Sequence, residues 1–147
     1  MTVLRSLFAA MLLAAPAAAQ HAGDCDTWQA NARNLAWPGE EATRVFEDGA
    51  VRLIALDTGE PAVAWAHLMV TWAPIAGPGS FCSLISLNER GLGFAGMVLP
   101  EVSVERLSDT QSQFTLPIQR HNPDSGLSDD AVLRFTLDRD LNEIAIN

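Results

Sequence analysis

Lysine and tyrosine are absent from the 147 residues, and cysteine occurs only twice. Nine arginines stand against eighteen acidic residues, for a formal net charge of −9. A chain this poor in cations is ill suited to nucleic acid or an anionic membrane, since both are held by Lys and Arg that neutralise phosphates. No Cys-x-x-Cys spacing occurs, which removes the common redox and zinc-ribbon patterns. A Gly-x-Ser-x-Gly nucleophile elbow is also missing, because Pro78-Gly79-Ser80 lacks the pattern. Adjacent acids such as Glu40-Glu41 and Asp129-Asp130 read as charge runs in loops. Glycoside hydrolysis needs two carboxylates facing one another across a cleft, and no spacing here implies that. No catalytic residue and no cofactor is therefore assigned.

What is present begins with MTVLRSLFAAMLLAAPAAAQ. Arg5 supplies a basic start, Leu7 to Ala15 an apolar run, and Ala17-Ala18-Ala19 a small-residue end. That order reads as a secretory signal peptide over residues 1–19. A membrane span needs about 20 apolar residues, and Pro16 interrupts this run. Gly23-Asp24 before Cys25 does not fit the small residues that precede a lipid-bearing cysteine. Residues 20–147 then form one secreted or periplasmic domain with eight basic and eighteen acidic residues, a net charge of −10. A stable membrane insertion is not expected of it.

In an oxidising compartment a lone pair of cysteines reads as one disulfide, Cys25–Cys82. Asp26 or Thr27 can cap a helix whose one face carries Trp28, Ala32, Leu35 and Ala36, ended by Trp37-Pro38-Gly39. The disulfide would pin that helix to wherever Cys82 lies.

From Thr43 onward the period changes to two. Strands are expected near 43–47, 50–57, 61–73, 80–88, 92–99, 101–107, 112–119, 131–137 and 142–146. Asp48-Gly49 is a two-residue hairpin signal, and Asp57–Glu60, Asn88–Gly91 and Asp138–Leu141 suit longer turns. Short connections make neighbouring strands antiparallel. The expected fold is all-β, an antiparallel barrel or sandwich of eight or nine strands with one short N-terminal helix.

A tight turn at Thr58-Gly59 would set Ile54 opposite Val63 and Arg52 opposite Trp65. One face of this pair, from Val51, Leu53 and Ala55 to Leu68, Val70 and Trp72, is wholly apolar and must be core. The other carries Arg52, Ile54, Leu56, Trp65, His67 and Met69, neither clean core nor clean solvent. If the sheet closes, Arg52, Trp65, His67 and Met69 could line a pocket, with Arg52 over Trp65 as a cation–π pair. In the last hairpin Leu133, Phe135 and Leu137 oppose Ile146, Ile144 and Asn142.

Three motifs invite sharper chemistry. GLGFAG, residues 91–96, matches Gly-x-Gly-x-x-Gly, but a turn precedes it and Pro100 follows, so the strand–helix setting of a pyrophosphate cradle is missing. Read as a hairpin instead, Ser86 faces Gly93 and Cys82 faces Met97, and the low glycines seat the N-terminal helix. Asp138-x-Asp140-x-Asn142 starts like a calcium loop but has Glu143 where glycine belongs, so a turn is the better reading. Asn122, Asp124, Asp129 and Asp130 likewise suit turn chemistry. Cleavage after Gln20 would leave His21-Ala22 first. That start resembles the secreted copper-resistance carrier family. The resemblance implies a copper held by the amine and imidazole of His21 together with a second histidine. The chain departs from the family in having no Asp-x-His near its C-terminus.

The leading expectation is a non-enzymatic binding module for a small apolar, aromatic or anionic ligand. A protein-directed inhibitor or envelope assembly factor, with contacts on Pro74–Ser80 and Asn122–Asp130, is the alternative. A copper or enzymatic site using His21 is the third.

Overall fold

The computed structural model describes residues 20–147, and the signal peptide expected over 1–19 lies outside the described residues. Ten strands run antiparallel to their neighbours. They are β1 (His21–Gly23), β2 (Thr43–Phe46), β3 (Val51–Asp57), β4 (Ala66–Trp72), β5 (Phe81–Ser86), β6 (Gly96–Met97), β7 (Ser103–Arg106), β8 (Gln111–His121), β9 (Ser128–Asp138) and β10 (Glu143–Ile146). Two five-stranded sheets result. Sheet A has the order β1-β5-β4-β3-β2. Sheet B has β10-β9-β8-β6, with β7 also on β8. The fold is all-β with the arrangement of a sandwich. The barrel alternative is corrected, because among the described residues no strand pairing closes the two sheets into one.

The alternation that makes these strands also makes the core. Leu53, Leu68 and Val70 of sheet A and Leu116, Leu133 and Leu137 of sheet B are fully buried in one cluster. Phe114 stacks on Phe135 with ring centroids 5.1 Å apart, and Phe46 meets Phe114 edge-on at 5.3 Å. Such pairs add about 1 kcal/mol each beyond the area they bury.

Two expected registers are corrected by even steps. Ile54 pairs with Met69 and Leu56 with His67, so the β3–β4 connection is a loop over 58–65 rather than a tight turn. In the last hairpin Leu137 pairs with Ile144 and Phe135 with Ile146. A shift by two or six residues leaves every side chain on its expected face, because the strand period is two. The β2–β3 turn is also longer than Asp48-Gly49 alone. It is a 3-10 turn over Glu47–Gly49, with Phe46 paired to Val51.

The expected hairpin of 80–88 with 92–99 does not form. After β5 the chain makes its turn, then Phe94 bridges Ala66 of sheet A, and Gly96–Met97 pair with Ile118–Gln119 of sheet B. Residues 94–97 thus carry the chain from one sheet to the other. Gly93 seats no helix. A Cβ there would stand 2.7 Å from the carbonyl oxygen of Ala66 and press on that of Ala64 as well.

The N-terminal α-helix is absent too. In its place are irregular chain and one 3-10 turn, Ala32–Asn34, while Trp28 and Leu35 stay half exposed. The disulfide Cys25–Cys82 is formed, with Cα atoms 5.8 Å apart. Leu35 bridges Leu56 on the far side of β3. Between those two anchors the segment must cross β5, β4 and β3 diagonally, a distance of roughly 20 Å from strand spacing and rise. An α-helix over ten residues covers only about 15 Å, so the chain stays more extended. Asn34 then uses its side-chain amide on the carbonyls of Trp28 and Gln29, both at 3.0 Å, in competition with helix.

Candidate functional site

Cys82, Leu84 and Ser86 of β5 share a face with His67 and Met69 of β4 and with Arg52 and Leu56 of β3, pointing away from the main core. The strap from Cys25 to Leu35 crosses one end of this face. That explains why Leu56, His67, Leu84 and Ser86 are all buried outside the main core. The mixed composition seen in the sequence is a floor beneath irregular chain. Its apolar members pack, and of its polar members His67 pairs with Ser86 while Arg52 stays exposed. His67 Nδ1 lies 3.1 Å from Ser86 Oγ. Burial pushes the His67 pKa down to about 4.

The four expected binding residues do not come together. Met69 is half buried in the middle of the face, between Ile54 and Leu84. Arg52 pairs with Thr71 and lies exposed at the far end, beside a cleft of about 120 Å³ shared with Thr71 and Ser80. Trp65 precedes β4 entirely. Six residues of extended chain separate Trp65 from Thr71, about 20 Å, so the Arg52–Trp65 cation–π pair is not made.

Trp65 instead enters a different cleft. Its carbonyl accepts from both the N–H and the hydroxyl of Thr58, each at 3.0 Å, which closes the loop over 58–65. Opposite it, where the strap leaves sheet A, Trp37 and Pro38 open the loop over 37–42 with a cis peptide bond between them. The N–H groups of Glu41 and Ala42 both donate to the Pro38 carbonyl, at 3.1 and 3.2 Å, and tighten that loop. Arg44 adds its guanidinium to the carbonyls of Glu40 and Thr43. Met97 and Pro100 arrive with the crossing chain. The cleft between these segments has a volume of about 160 Å³, and Leu56 and Leu99 form its floor. Trp37 is 92% exposed. Glu41 is the single titratable side chain among the lining residues.

Only Trp65 of this group was among the expected site residues. Trp37, Pro38, Glu41, Met97 and Pro100 come from segments with no common spacing. The one available cue was a tryptophan inside a turn beside Glu40-Glu41.

A larger groove of about 430 Å³ runs between the open edges at β1 and β10, with Trp72 and Phe81 along it. Two polar pairs along it are already made: Trp72 Nε1 donates to Asn142 Oδ1 at 3.3 Å and Ser83 Oγ to the Gly23 carbonyl at 2.8 Å. It is a seam between the sheets. The loops Pro74–Ser80 and Asn122–Asp130 sit at opposite ends of the molecule. Ser112 marks one end and His121 the other along β8, nine residues and about 30 Å apart.

His21 lies in β1 paired with Ser86. Among the described residues no group of three or more His, Cys, Asp and Glu side chains is placed to hold a metal ion. Asp138 behaves as turn chemistry requires. Its carboxylate takes the N–H of Asp140 at 2.9 Å and of Leu141 at 3.1 Å. A hydrogen bond from Gln111, with those backbone N–H groups, holds its pKa below the usual carboxylate range. Asn122 likewise accepts from Asp124 N at 3.0 Å.

A formed disulfide points to an oxidising, extracytoplasmic compartment. Among the described residues no helix is long and apolar enough to cross a membrane. Compared with family models, curated proteins and solved structures, the chain matches none.

Proposed function

We propose that the protein is a periplasmic or secreted, non-enzymatic binding module built on a β-sandwich, and that its cleft takes a small apolar or aromatic group of a ligand. The observation that carries this reading is one cleft with two tryptophans among its lining residues, of which Trp37 is left 92% in solvent. An indole in water forgoes roughly 2 kcal/mol of burial, which a ligand laid against it recovers. The volume of about 160 Å³ falls below the roughly 300–1,000 Å³ of sites that enclose a whole drug-sized ligand. The cleft therefore suits a head group or ring, with the rest of the ligand outside. Proton-transfer chemistry finds little support here, since Glu41 is the single lining side chain that could take or give a proton.

Titration with benzyl alcohol and cyclohexanol, read by tryptophan emission, tests the reading. A saturable change is expected in the wild type and in Trp28→Phe and Trp72→Phe. It should shrink in Trp37→Phe and Trp65→Phe. No saturable change, or one insensitive to both cleft tryptophans, would reject it.

A further inference from the structure

Resting on that reading of the cleft, we infer that the group it takes is a small organic cation, an alkylated ammonium free in solution. The one charged side chain among the lining residues is acidic. Glu41 lines the cleft, and no arginine or histidine does. The Glu41 carboxylate has no salt bridge. Among the described residues the ion pairs are Arg106–Asp109 and Arg139–Glu47. The nearest cation in sequence, Arg44, turns its guanidinium onto the carbonyls of Glu40 and Thr43 at 2.9 and 2.8 Å. Indole faces are negative and attract cations, more strongly when water is excluded. The net charge of −9 raises the local concentration of cations by the same sign of field.

The scarcity of free acceptors narrows the cation further: among the lining residues the Glu41 carboxylate is the one acceptor side chain. The Pro38 carbonyl is already taken by two N–H groups, and Pro38, Met97, Leu99 and Pro100 offer the cleft apolar surface. A primary ammonium could give an N–H to Glu41, but its remaining donors would lose water against apolar surface with little in return. An ammonium whose nitrogen carries methyl groups has no N–H to satisfy, and its methyls pack on proline and indole. A choline head group still attached to a lipid brings a phosphate, and the lining holds no cation to receive one. The occupant is therefore the free cation.

The test uses the purified, disulfide-intact protein with choline, n-butylammonium and 3,3-dimethylbutan-1-ol, the last having the shape of choline without its charge. Calorimetry and tryptophan emission should show choline binding about tenfold more tightly than the neutral isostere, the scale of a partly desolvated cation–π contact. Glu41→Gln should remove part of that difference, the indole faces keeping the rest, and Trp37→Phe should weaken both probes. Glu41 is exposed and its side chain makes no hydrogen bond, so the variant keeps the fold. Equal binding of choline and the isostere, unchanged in Glu41→Gln, overturns the cation while leaving an apolar cleft. Binding of neither probe overturns both. Tighter binding of n-butylammonium than choline overturns the alkylated head group. Sedimentation with phosphatidylcholine vesicles should leave the protein in the supernatant, and pelleting overturns the free cation.

Discussion

His67 Nδ1 and Ser86 Oγ meet at 3.1 Å on adjacent strands of sheet A, both buried on the face that the N-terminal strap crosses. A buried imidazole with a hydroxyl as its partner is stable as the neutral ring, and desolvation carries its pKa from 6.5 to about 4. Between those values the unfolded chain binds a proton that the folded chain refuses, so stability rises with pH across the window. The contribution is complete above about pH 6.5 and is lost as pH falls toward about 4, an effect on the order of 3 kcal/mol. His67→Gln should cancel it. Urea unfolding of both proteins at about pH 7 and about pH 4.5 checks this. A difference between wild type and variant that does not change with pH would contradict it.

Removing the disulfide should loosen the strap before it loosens the sheets. The bridge joins positions separated by 57 residues, and opening a loop of that length costs about 4 kcal/mol on the chain-entropy account. A Cys25→Ser, Cys82→Ser double variant should show that loss in unfolding. Its amides over 26–35 should exchange freely while those of β3 and β4 stay protected. Equal loss of protection in strap and sheet would argue against a separable strap.

The sequence carried the parts of this fold that depend on local period. All nine strand positions expected after Thr43 hold strands, because alternation and turn residues act over a few neighbours. Faces survived wrong registers because the errors were even. What depended on distant chain was not legible. The spacing of Trp28, Ala32, Leu35 and Ala36 is helical, yet the ties from Cys25 to Cys82 and from Leu35 to Leu56 stretch that segment across a sheet. Residues 92–99 alternate well enough to pair with 80–88, yet Phe94 bridges Ala66 and Met97 pairs with Ile118. β1, only His21–Gly23, is too short to leave a period. Of the cleft, Trp65 was singled out for a pairing with Arg52 that the register does not make. Trp37 reads in sequence as the end of a helix rather than the wall of a site.

Glu47 and Arg139 hold the opposite end of the molecule. The Glu47 carboxylate accepts from Arg139 Nη1 and from Ser112 Oγ, both at 2.6 Å, and Arg139 Nε donates to the Ala73 carbonyl at 2.9 Å. The group fastens the β2–β3 turn and the end of β4 to β8 and the β9–β10 turn. Glu47 has φ 52, a left-handed conformation that costs a non-glycine residue about 1 kcal/mol, and the ion pair helps offset it. Side-chain exposures of 14% and 25% leave the pair mostly desolvated. Glu47→Gln should therefore destabilise by about 2 kcal/mol, less than a fully buried pair. A double-mutant cycle with Arg139→Gln should return a coupling of about 1 kcal/mol. Zero coupling would mean the two side chains contribute independently.

Gly93 tests the crossing between the sheets. The N–H and C=O of the next residue, Phe94, both bond Ala66, at 2.7 and 3.0 Å, and Phe94 itself is fully buried. A methyl group at 93 would fall on the carbonyl oxygens of Ala64 and Ala66. Those oxygens belong to backbone, which cannot turn aside as a side chain can. Gly93→Ala should cost about 3 kcal/mol, the upper end for overpacking. Gly39→Ala is the control, since a Cβ there meets nothing within 4 Å, and it should stay within about 0.5 kcal/mol of wild type. Met97 follows four residues later and lines the cleft, so Gly93→Ala should also weaken probe binding, while Gly39→Ala changes stability little. Thermal unfolding of the two variants side by side decides it: equal midpoints would mean that the chain at Gly93 has room that the packing denies.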